Sequence, residues 1–232
     1  MKALVIQHDH VSPPGPVGEA LEARGFRLSL HQVVHERDFQ APNRHAPFPS
    51  LDGFDLIVPM GAPWSAYDED TIGSWVPAEL DLLREADRRG IPVLGICFGG
   101  QLLALAHGGS VSRAPVPEIG WTTIETDIPE LVAPGPWFQW HLDRWETPPD
   151  SAEIARNANA SQAFVIRRNL AVQFHPELTL DSLKGWYLNG GADQALAAGG
   201  DPEAMVAATI LEEPAARERA DELVRAFLER MA

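Results

Sequence analysis

The stretch IPVLGICFGGQLLALAH, residues 91–107, decides the fold of this chain. It opens with a short, almost entirely apolar run, as expected of a strand covered on both faces of a parallel sheet. Gly95 precedes Cys97 by two residues, Gly99 follows it by two, and apolar residues at helical spacing come next. Glycine permits backbone conformations that other residues avoid. The stretch therefore predicts a strand, a sharp turn that carries the cysteine, and a helix.

A cysteine on such a turn is well placed for nucleophilic chemistry. The strand-to-helix elbow of many hydrolases lifts the nucleophile clear of the sheet edge. It also places the sulfur of Cys97 at a helix N-terminus, where peptide dipoles and free N–H groups favour the thiolate. A packed structural cysteine is the alternative interpretation of the same residues. The choice between them depends on finding a base elsewhere in the chain.

The segment AVQFHPE, residues 171–177, offers that base and a group to orient it. It has the pattern of an apolar strand that ends at His175, with Glu177 two residues later. Residues i and i+2 of an extended chain point to the same side, and Pro176 restricts the backbone around it to extended conformations. Glu177 can then hold one ring nitrogen of His175 while the other nitrogen faces a thiol, as in a catalytic triad. A solvated His and Glu at a strand end is the alternative, and the cysteine elbow favours the triad.

Outward from the elbow, strand and helix patterns alternate through the first half of the chain, which is typical of βαβ units and a parallel sheet. The predicted strands are 2–7, 26–34, 54–60 and 91–96, and the predicted helices are 17–24, 75–89 and 102–107. The second half predicts short strands added antiparallel at the sheet edge, at 120–125, 137–141, 153–157, 163–167 and 171–174. Two helices close the chain, at 181–188 and 202–231, and we expect the second to break near Pro214.

The composition excludes several classes of protein. A chain of 232 residues with 45% apolar residues can bury a core without disulfides. The net charge of −15 opposes binding to phosphate backbones and anionic membranes, so we expect no nucleic-acid partner and no membrane association. The single cysteine excludes a disulfide framework and a multi-cysteine zinc site, and no metal or cofactor is predicted. The N-terminal segment lacks the apolar core of a signal peptide, so a cytoplasmic location is expected.

Two motifs, taken together, resemble those of a known family. GICFGGQ at 95–101 with QFHPE at 173–177 resembles the class I glutamine amidotransferases, which take ammonia from glutamine with a Cys-His-Glu triad. MGAPWSAYDED at 60–70 is similar to the glycine-rich loop of that family. EIGW at 118–121 and the Trp140-His141-x-Asp143 element resemble its stand-alone, GMP-synthase-like branch. The similarity extends to about residue 180.

The resemblance implies a flavodoxin-like α/β fold. Its sheet would be open, mainly parallel, flanked by helices and extended by antiparallel edge strands, with the elbow at the carboxyl end of a central strand. It also implies an amidotransferase domain over residues 1–190. We expect residues 191–232 to form a helical extension packed on the same domain.

The same resemblance implies the roles of the triad. Cys97 would attack the side-chain amide carbon of glutamine and form a thioester. His175 would protonate the departing ammonia and then activate water, while Glu177 holds His175 in the working tautomer.

Further residues are assigned by the resemblance to the oxyanion and the substrate. Backbone N–H groups of the Gly61-Ala62 loop and of Phe98 would stabilise the oxyanion. Gln101 resembles the residue that holds the glutamine. We also expect Trp140 and His141 to contact the substrate.

The loop departs from the family at Ala62, where a second glycine is usual. If that position required φ > 0, alanine would cost about 1 kcal/mol or more. We expect alanine to be tolerated, because the role needs only backbone atoms. Trp64, Trp140 and Trp145 are candidates for the walls of a substrate pocket, with simple packing as the alternative.

Three functions fit these residues. The first is an amidotransferase-type enzyme that hydrolyses the γ-amide of glutamine. The second is a γ-glutamyl peptidase or hydrolase acting on γ-glutamyl conjugates, and the third is a non-catalytic regulatory or binding protein on the same fold. The chain has neither a GxxxxGK[ST] loop nor a nucleotide fingerprint. Any ammonia acceptor would therefore be a separate synthetase subunit.

Overall fold

The computed structural model describes residues 1–231 and has the alternating strands and helices that the first half of the sequence predicts. The strands are β1 (Lys2–Gln7), β2 (Arg27–Gln32), β3 (Leu56–Pro59), β4 (Leu94–Ile96), β5 (Ser110–Thr122), β6 (Glu125–Thr126), β7 (Trp137–Glu146), β8 (Ala152–Arg156), β9 (Ser161–Ile166) and β10 (Asn169–Val172). The helices are α1 (Gly15–Ala23), α2 (Glu69–Ile72), α3 (Val76–Arg88), α4 (Phe98–Ala106), α5 (Leu180–Trp186), α6 (Ala192–Ala197) and α7 (Pro202–Met231), with a 3₁₀ turn at Glu36–Asp38 and a π-helical turn at Tyr187–Gly191.

A row of parallel strands forms the half of the fold that carries the elbow. β1 lies between β2 and β3 and is parallel to both. A parallel bridge from Ile57 of β3 to Val93 continues the row towards β4, and β4 pairs in parallel with β10. β9, β8 and β6 then extend the sheet with antiparallel pairings. The predicted open, mainly parallel sheet with antiparallel strands at one edge is confirmed.

Helices cover both faces of this sheet because alternate strand residues point to opposite sides. On one face Val5 of β1 belongs to an apolar cluster with Leu21 of α1 and Phe227 of α7. On the other face Ile6 belongs to a cluster with Leu83 of α3. The strands β1, β3, β4 and β10 are therefore buried on both sides, which explains their nearly continuous apolar sequences, whereas β2 at the edge is only partly buried.

The pair β5–β7 is longer than the sequence predicts. The predicted strand at 120–125 divides between the end of β5 and β6, and β7 continues to Glu146 instead of stopping at residue 141. β5 begins ten residues earlier than expected, and it contains Pro115 and Pro117, which usually argue against a strand. The register between β5 and β7 shifts between Arg113 and Glu118, so the irregular part of the ladder accommodates both prolines.

The predicted break near Pro214 is wrong. α7 runs without interruption through that residue. Proline removes one hydrogen bond to the carbonyl of residue i−4, here Ile210. Both Pro214 and Ile210 lie on the exposed side of the helix, where water can hydrate the freed carbonyl.

The C-terminal helix contributes to the main core. Leu223, Val224 and Phe227 are buried in the same cluster as the strand row, and Arg24, the residue that follows α1, forms an ion pair with Asp221. The division of the chain into residues 1–190 and 191–232 stays a prediction.

We predict that Phe227→Ala lowers the free energy of unfolding by about 3–5 kcal/mol, because it removes a fully buried ring from a packed core. Ile210→Ala on the same helix is the control. Ile210 is 56% exposed, and we expect a change within about 0.5 kcal/mol. Denaturant unfolding measures both, and equal small changes would mean that α7 does not belong to the cooperative core.

Candidate active site

Cys97 occupies a strained backbone position between β4 and α4. Its φ of +50° and ψ of −106° lie where residues with a side chain are rarely found. Its N–H donates to the carbonyl of Val172 on the neighbouring strand at 2.8 Å, and the helix starts at the next residue. Strain of this kind persists only where the surroundings fix it, and it concentrates at functional sites. The predicted strand, turn and helix are confirmed, with the cysteine on the turn.

Gly99 allows the start of α4 to lie directly against β3. A Cβ at this position would be 2.1 Å from the carbonyl oxygen of Pro59, a distance that no side chain can occupy. The N–H of Gly99 donates to the carbonyl of Met60 at 3.0 Å. The glycine therefore fixes the helix N-terminus, and with it the cysteine, on the end of β3.

His175 and Glu177 meet Cys97 at the end of β10. Glu177 Oε1 lies 2.7 Å from His175 Nδ1, as their spacing predicts. His175 Nε2 is 3.4 Å from the carbonyl oxygen of Trp140, and Cys97 Sγ is 3.8 Å from the same oxygen. The structure therefore brings together all three residues of the predicted triad.

The electrostatics of this group favour a protonated imidazole. Burial alone lowers the pKa of His175, because it removes water from the charged form. The charges of Glu177 and Cys97, and the hydrogen bonds to both, act in the opposite direction and hold the pKa of His175 well above its ordinary value. The imidazolium proton on Nε2 is then available to a group that reacts at the sulfur.

The predicted oxyanion residues line the same cavity as the cysteine. Among residues 1–231, the N–H groups of Ala62 and Phe98 donate to no protein acceptor, so both are available to a ligand. A Cβ on Gly61 would lie 3.0 Å from His175 Cε1, so a larger residue would crowd the imidazole. Ala62 is not among the described residues with positive φ. Alanine therefore avoids the positive-φ penalty at this position.

The loop that contains Gly61 and Ala62 is tied to β7 by Asp143. Ser65 donates its hydroxyl to Asp143 Oδ2 at 2.6 Å, and Tyr67 donates to Oδ1 at 3.0 Å. Asp143 therefore fixes the far end of the loop.

The cavity over the cysteine has a volume of about 210 Å³. Gln101, Trp140 and His141 all line it, as does Trp64. Gln101 is buried, and its Nε2 is 3.4 Å from the carbonyl of Asp143. The substrate-binding roles of Gln101, Trp140 and His141 stay predictions.

Trp145 does not belong to the cavity wall. Its ring is buried in the core, edge-on to Phe164 with centroids 5.2 Å apart. Successive residues of a strand point to opposite faces, so Trp140 and Trp145, five positions apart on β7, face different sides.

The ring of His141 is engaged by protein groups. Nδ1 lies 2.9 Å from the carbonyl of Asp143, and Nε2 lies 3.2 Å from Glu118 Oε2. Burial raises the pKa of Glu118, but its interactions with His141 and Asn157 outweigh this and hold that pKa below its ordinary value. His141 thus joins a buried polar cluster behind the cavity.

Several residues of the site are absent from the sequence prediction. Gln173 Nε2 lies 3.6 Å from Cys97 Sγ, and its position two residues before His175 on an extended chain was the available signal. Trp186 packs edge-on against His175 with centroids 5.0 Å apart, and Gln194 accepts a hydrogen bond from Trp140 Nε1. Trp186 and Gln194 lie beyond the motifs, where the sequence offers no pattern.

In the described part of the chain, no group of three or more His, Cys, Asp or Glu side chains could hold a metal ion. No helix within residues 1–231 is long and apolar enough to cross a membrane.

Comparison with known proteins identifies the family. The family model for glutamine amidotransferase class-I matches residues 17–193. The chain belongs to this family. The glutamine-hydrolysing GMP synthase of Saccharolobus solfataricus has a subunit that is 34% identical over 152 residues, which cover 61% of this chain and 77% of the relative. The corresponding polypeptide of Ignicoccus hospitalis is 32% identical over 165 residues, covering 66% of this chain and 81% of the relative.

A solved structure extends the similarity over the whole chain. The crystal structure of a glutamine amidotransferase from Thermotoga maritima superimposes with a TM-score of 0.81 at 26% identity, covering 100% of this chain and 97% of that one. These matches confirm the predicted fold and the predicted similarity to the GMP-synthase-like branch. They also confirm the predicted class of enzyme, a glutamine-hydrolysing amidotransferase of the family that uses a cysteine nucleophile.

We predict that Glu177→Gln moves the alkaline limb of the kcat/KM profile to lower pH. The carboxylate stabilises the imidazolium and raises the pKa of His175, so its loss lowers that pKa and the imidazolium deprotonates earlier as pH rises. Rate against pH on glutamine measures the shift. Glu118→Gln is the control, since Glu118 faces His141, and its alkaline limb should not move. An unshifted limb in Glu177→Gln would show that the carboxylate does not set the protonation of His175.

Proposed function

We propose that this chain hydrolyses the γ-amide of glutamine through a γ-glutamyl thioester on Cys97, with His175 and Glu177 completing the triad. One observation carries the proposal. Cys97 Sγ and His175 Nε2 lie 3.8 and 3.4 Å from the same carbonyl oxygen, that of Trp140, and Glu177 lies 2.7 Å from the other ring nitrogen. Ala62 and Phe98, whose N–H groups are free, line the same cavity.

The first half of the reaction forms the thioester. The Cys97 thiolate attacks the side-chain amide carbon, and the carbonyl oxygen becomes an oxyanion that accepts hydrogen bonds from Ala62 and Phe98. The C–N bond then breaks. His175 gives its Nε2 proton to the leaving nitrogen, which departs as ammonia.

The second half releases glutamate. Neutral His175 takes a proton from water at Nε2, and the hydroxide attacks the thioester carbon. The same N–H groups stabilise the second oxyanion. The C–S bond breaks and the product leaves as the γ-carboxylic acid, which loses its proton to water to become glutamate. The thiolate–imidazolium pair is restored. Glu177 accepts the Nδ1 hydrogen bond throughout and keeps Nε2 directed at the reacting atoms.

The surrounding residues complete the substrate site. Gln101 lines the cavity beside Cys97, and its amide is the candidate hydrogen-bonding partner for the amino-acid end of the substrate. Trp140 lines the cavity, and its carbonyl oxygen is near both the sulfur of Cys97 and Nε2 of His175. His141 supports the cavity through its contacts with Asp143 and Glu118.

A separate acceptor chain is part of the proposal. The relatives from Saccharolobus and Ignicoccus are named as subunits of GMP synthase, which supports an amidotransferase chain that delivers ammonia to a partner subunit. The expected cytoplasmic location and the expected lack of a nucleic-acid partner stay predictions.

Hydrolysis of γ-glutamyl conjugates is the second candidate. Glutamine and a γ-glutamyl peptide present the same γ-acyl group, and only the leaving amine differs. The observation that favours this candidate is the size of the cavity, which extends from Cys97 to Asn189 and Gln194. The third, non-catalytic alternative has no support in a site where all three triad groups are present and in contact.

We predict that Cys97→Ser abolishes turnover and leaves the fold intact. Serine fits the space, but its hydroxyl is far less acidic than a thiol and is not ionised by the imidazole of this triad. Glutamate release and circular dichroism measure the two properties. Substantial hydrolysis by the folded variant would place the nucleophile elsewhere.

We predict that the purified chain releases ammonia from glutamine slowly and does not cleave a γ-glutamyl dipeptide. A chain that normally works with an acceptor subunit has no need of full activity alone. The two substrates are assayed in parallel, with Cys97→Ser as the blank. Fast dipeptide cleavage with negligible glutamine hydrolysis would replace the amidotransferase proposal with the conjugate hydrolase.

A further inference from the structure

A fully buried His–Glu pair contacts the loop that carries the Ala62 N–H, one of the two oxyanion donors. His8 follows the end of β1 and Glu79 lies on α3, and neither side chain is exposed. His8 Nε2 is 3.0 and 3.1 Å from the two carboxylate oxygens of Glu79. The mechanism above uses neither residue, and buried charged groups are costly to keep unless they serve the structure or the site.

The second nitrogen of His8 reaches the loop itself. Nδ1 lies 3.2 Å from the carbonyl oxygen of Gly61. A carbonyl oxygen can only accept, so the Nδ1 proton must be present for a hydrogen bond to form. This holds whether the pair is imidazolium and carboxylate or neutral imidazole and carboxylic acid. Burial lowers the pKa of His8, but the charge and hydrogen bond of Glu79 outweigh it and raise that pKa overall.

The bond to Gly61 fixes the next peptide plane. The peptide between Gly61 and Ala62 is trans, so its C=O and N–H point in opposite directions. With the carbonyl turned towards His8, the N–H of Ala62 points away from His8. Rotation of this plane would withdraw the N–H donor and place a carbonyl oxygen where the oxyanion must form.

His8 also contacts the residue that supplies the second donor. Its ring packs edge-on against Phe98 with centroids 4.8 Å apart, and Trp75 stacks on it at 5.7 Å. These rings hold the imidazole plane in place. One side chain therefore touches both halves of the oxyanion site, Gly61 by a hydrogen bond and Phe98 by packing.

We propose that His8, held by Glu79, is a positioning residue that orients the Gly61–Ala62 peptide so that the Ala62 N–H stabilises the oxyanion. The proposal rests on the proposed function, because it assigns the loop a role in the same reaction. His8 itself does not touch the substrate. Its effect is on the rate of the chemical step.

Two double variants separate this role from simple stabilisation. His8→Leu with Glu79→Leu replaces the ion pair by apolar groups, a change that is often neutral or stabilising in buried sites, and it leaves Gly61 without a donor. His8→Asn with Glu79→Gln keeps an amide N–H near the position of Nδ1 but weakens the packing of the rings. If His8 is a positioning residue, the leucine pair should be the more stable but the less active of the two double variants, and the Asn/Gln pair the less stable but the more active.

For the leucine pair we expect a melting temperature at or above that of the wild type and a kcat on glutamine about 100-fold lower, as for the loss of one oxyanion donor. KM should stay close to the wild-type value. For the Asn/Gln pair we expect a lower melting temperature with most of the kcat retained. If the leucine pair does not fold, His8→Gln with Glu79→Gln replaces it, since its amide lies near Nε2 and cannot reach Gly61.

Alkylation of Cys97 by iodoacetamide is the internal control. Displacement at a saturated carbon forms no oxyanion, so its rate should be unchanged in both double variants. The positioning role would be overturned if the double variant with the lower melting temperature also had the lower kcat. A leucine pair with the kcat of the wild type would overturn it as well. Failure of the proposed function itself would be seen separately, as activity that survives Cys97→Ser in an otherwise unchanged chain.

Discussion

The positive φ of Cys97 is the constraint on which the rest of the site depends. It is maintained from two sides, by the hydrogen bond from its N–H to Val172 on β10 and by the contact of Gly99 with the end of β3. The elbow therefore joins three neighbouring strands. Each of them ends in a group of the site, because the carboxyl ends of parallel strands meet at one edge of an open sheet. Gly61 follows β3, Cys97 follows β4 and His175 follows β10.

Two His–Glu pairs at this edge have different surroundings and different consequences. The pair of His175 and Glu177 borders the cavity, and its imidazole faces the sulfur, so its protonation is available to the reaction. The pair of His8 and Glu79 is sealed from solvent and directs its free nitrogen at a backbone carbonyl. The first can exchange protons with a substrate. The second can only hold a peptide in place.

The sequence predicted those parts of the molecule that follow from local pattern. The elbow follows from glycines around Cys97, and the contact of His175 with Glu177 follows from their i, i+2 spacing across a proline. The irregular strand β5 and the continuous helix through Pro214 were not predictable, because proline's local preference was overridden by a register shift in one case and by solvent exposure in the other. His8 and Glu79 are 71 positions apart, and no pattern in the chain indicates that they meet.

The central claim is that Cys97 carries the acyl group during turnover. The most direct test is acid quenching of the chain during glutamine hydrolysis, followed by mass spectrometry of the intact protein and of its peptides. We expect a mass increase of one γ-glutamyl group on the peptide that contains Cys97, and we expect it to disappear once glutamine is exhausted. Sustained hydrolysis with no adduct at any time, or an adduct on another residue, would contradict it.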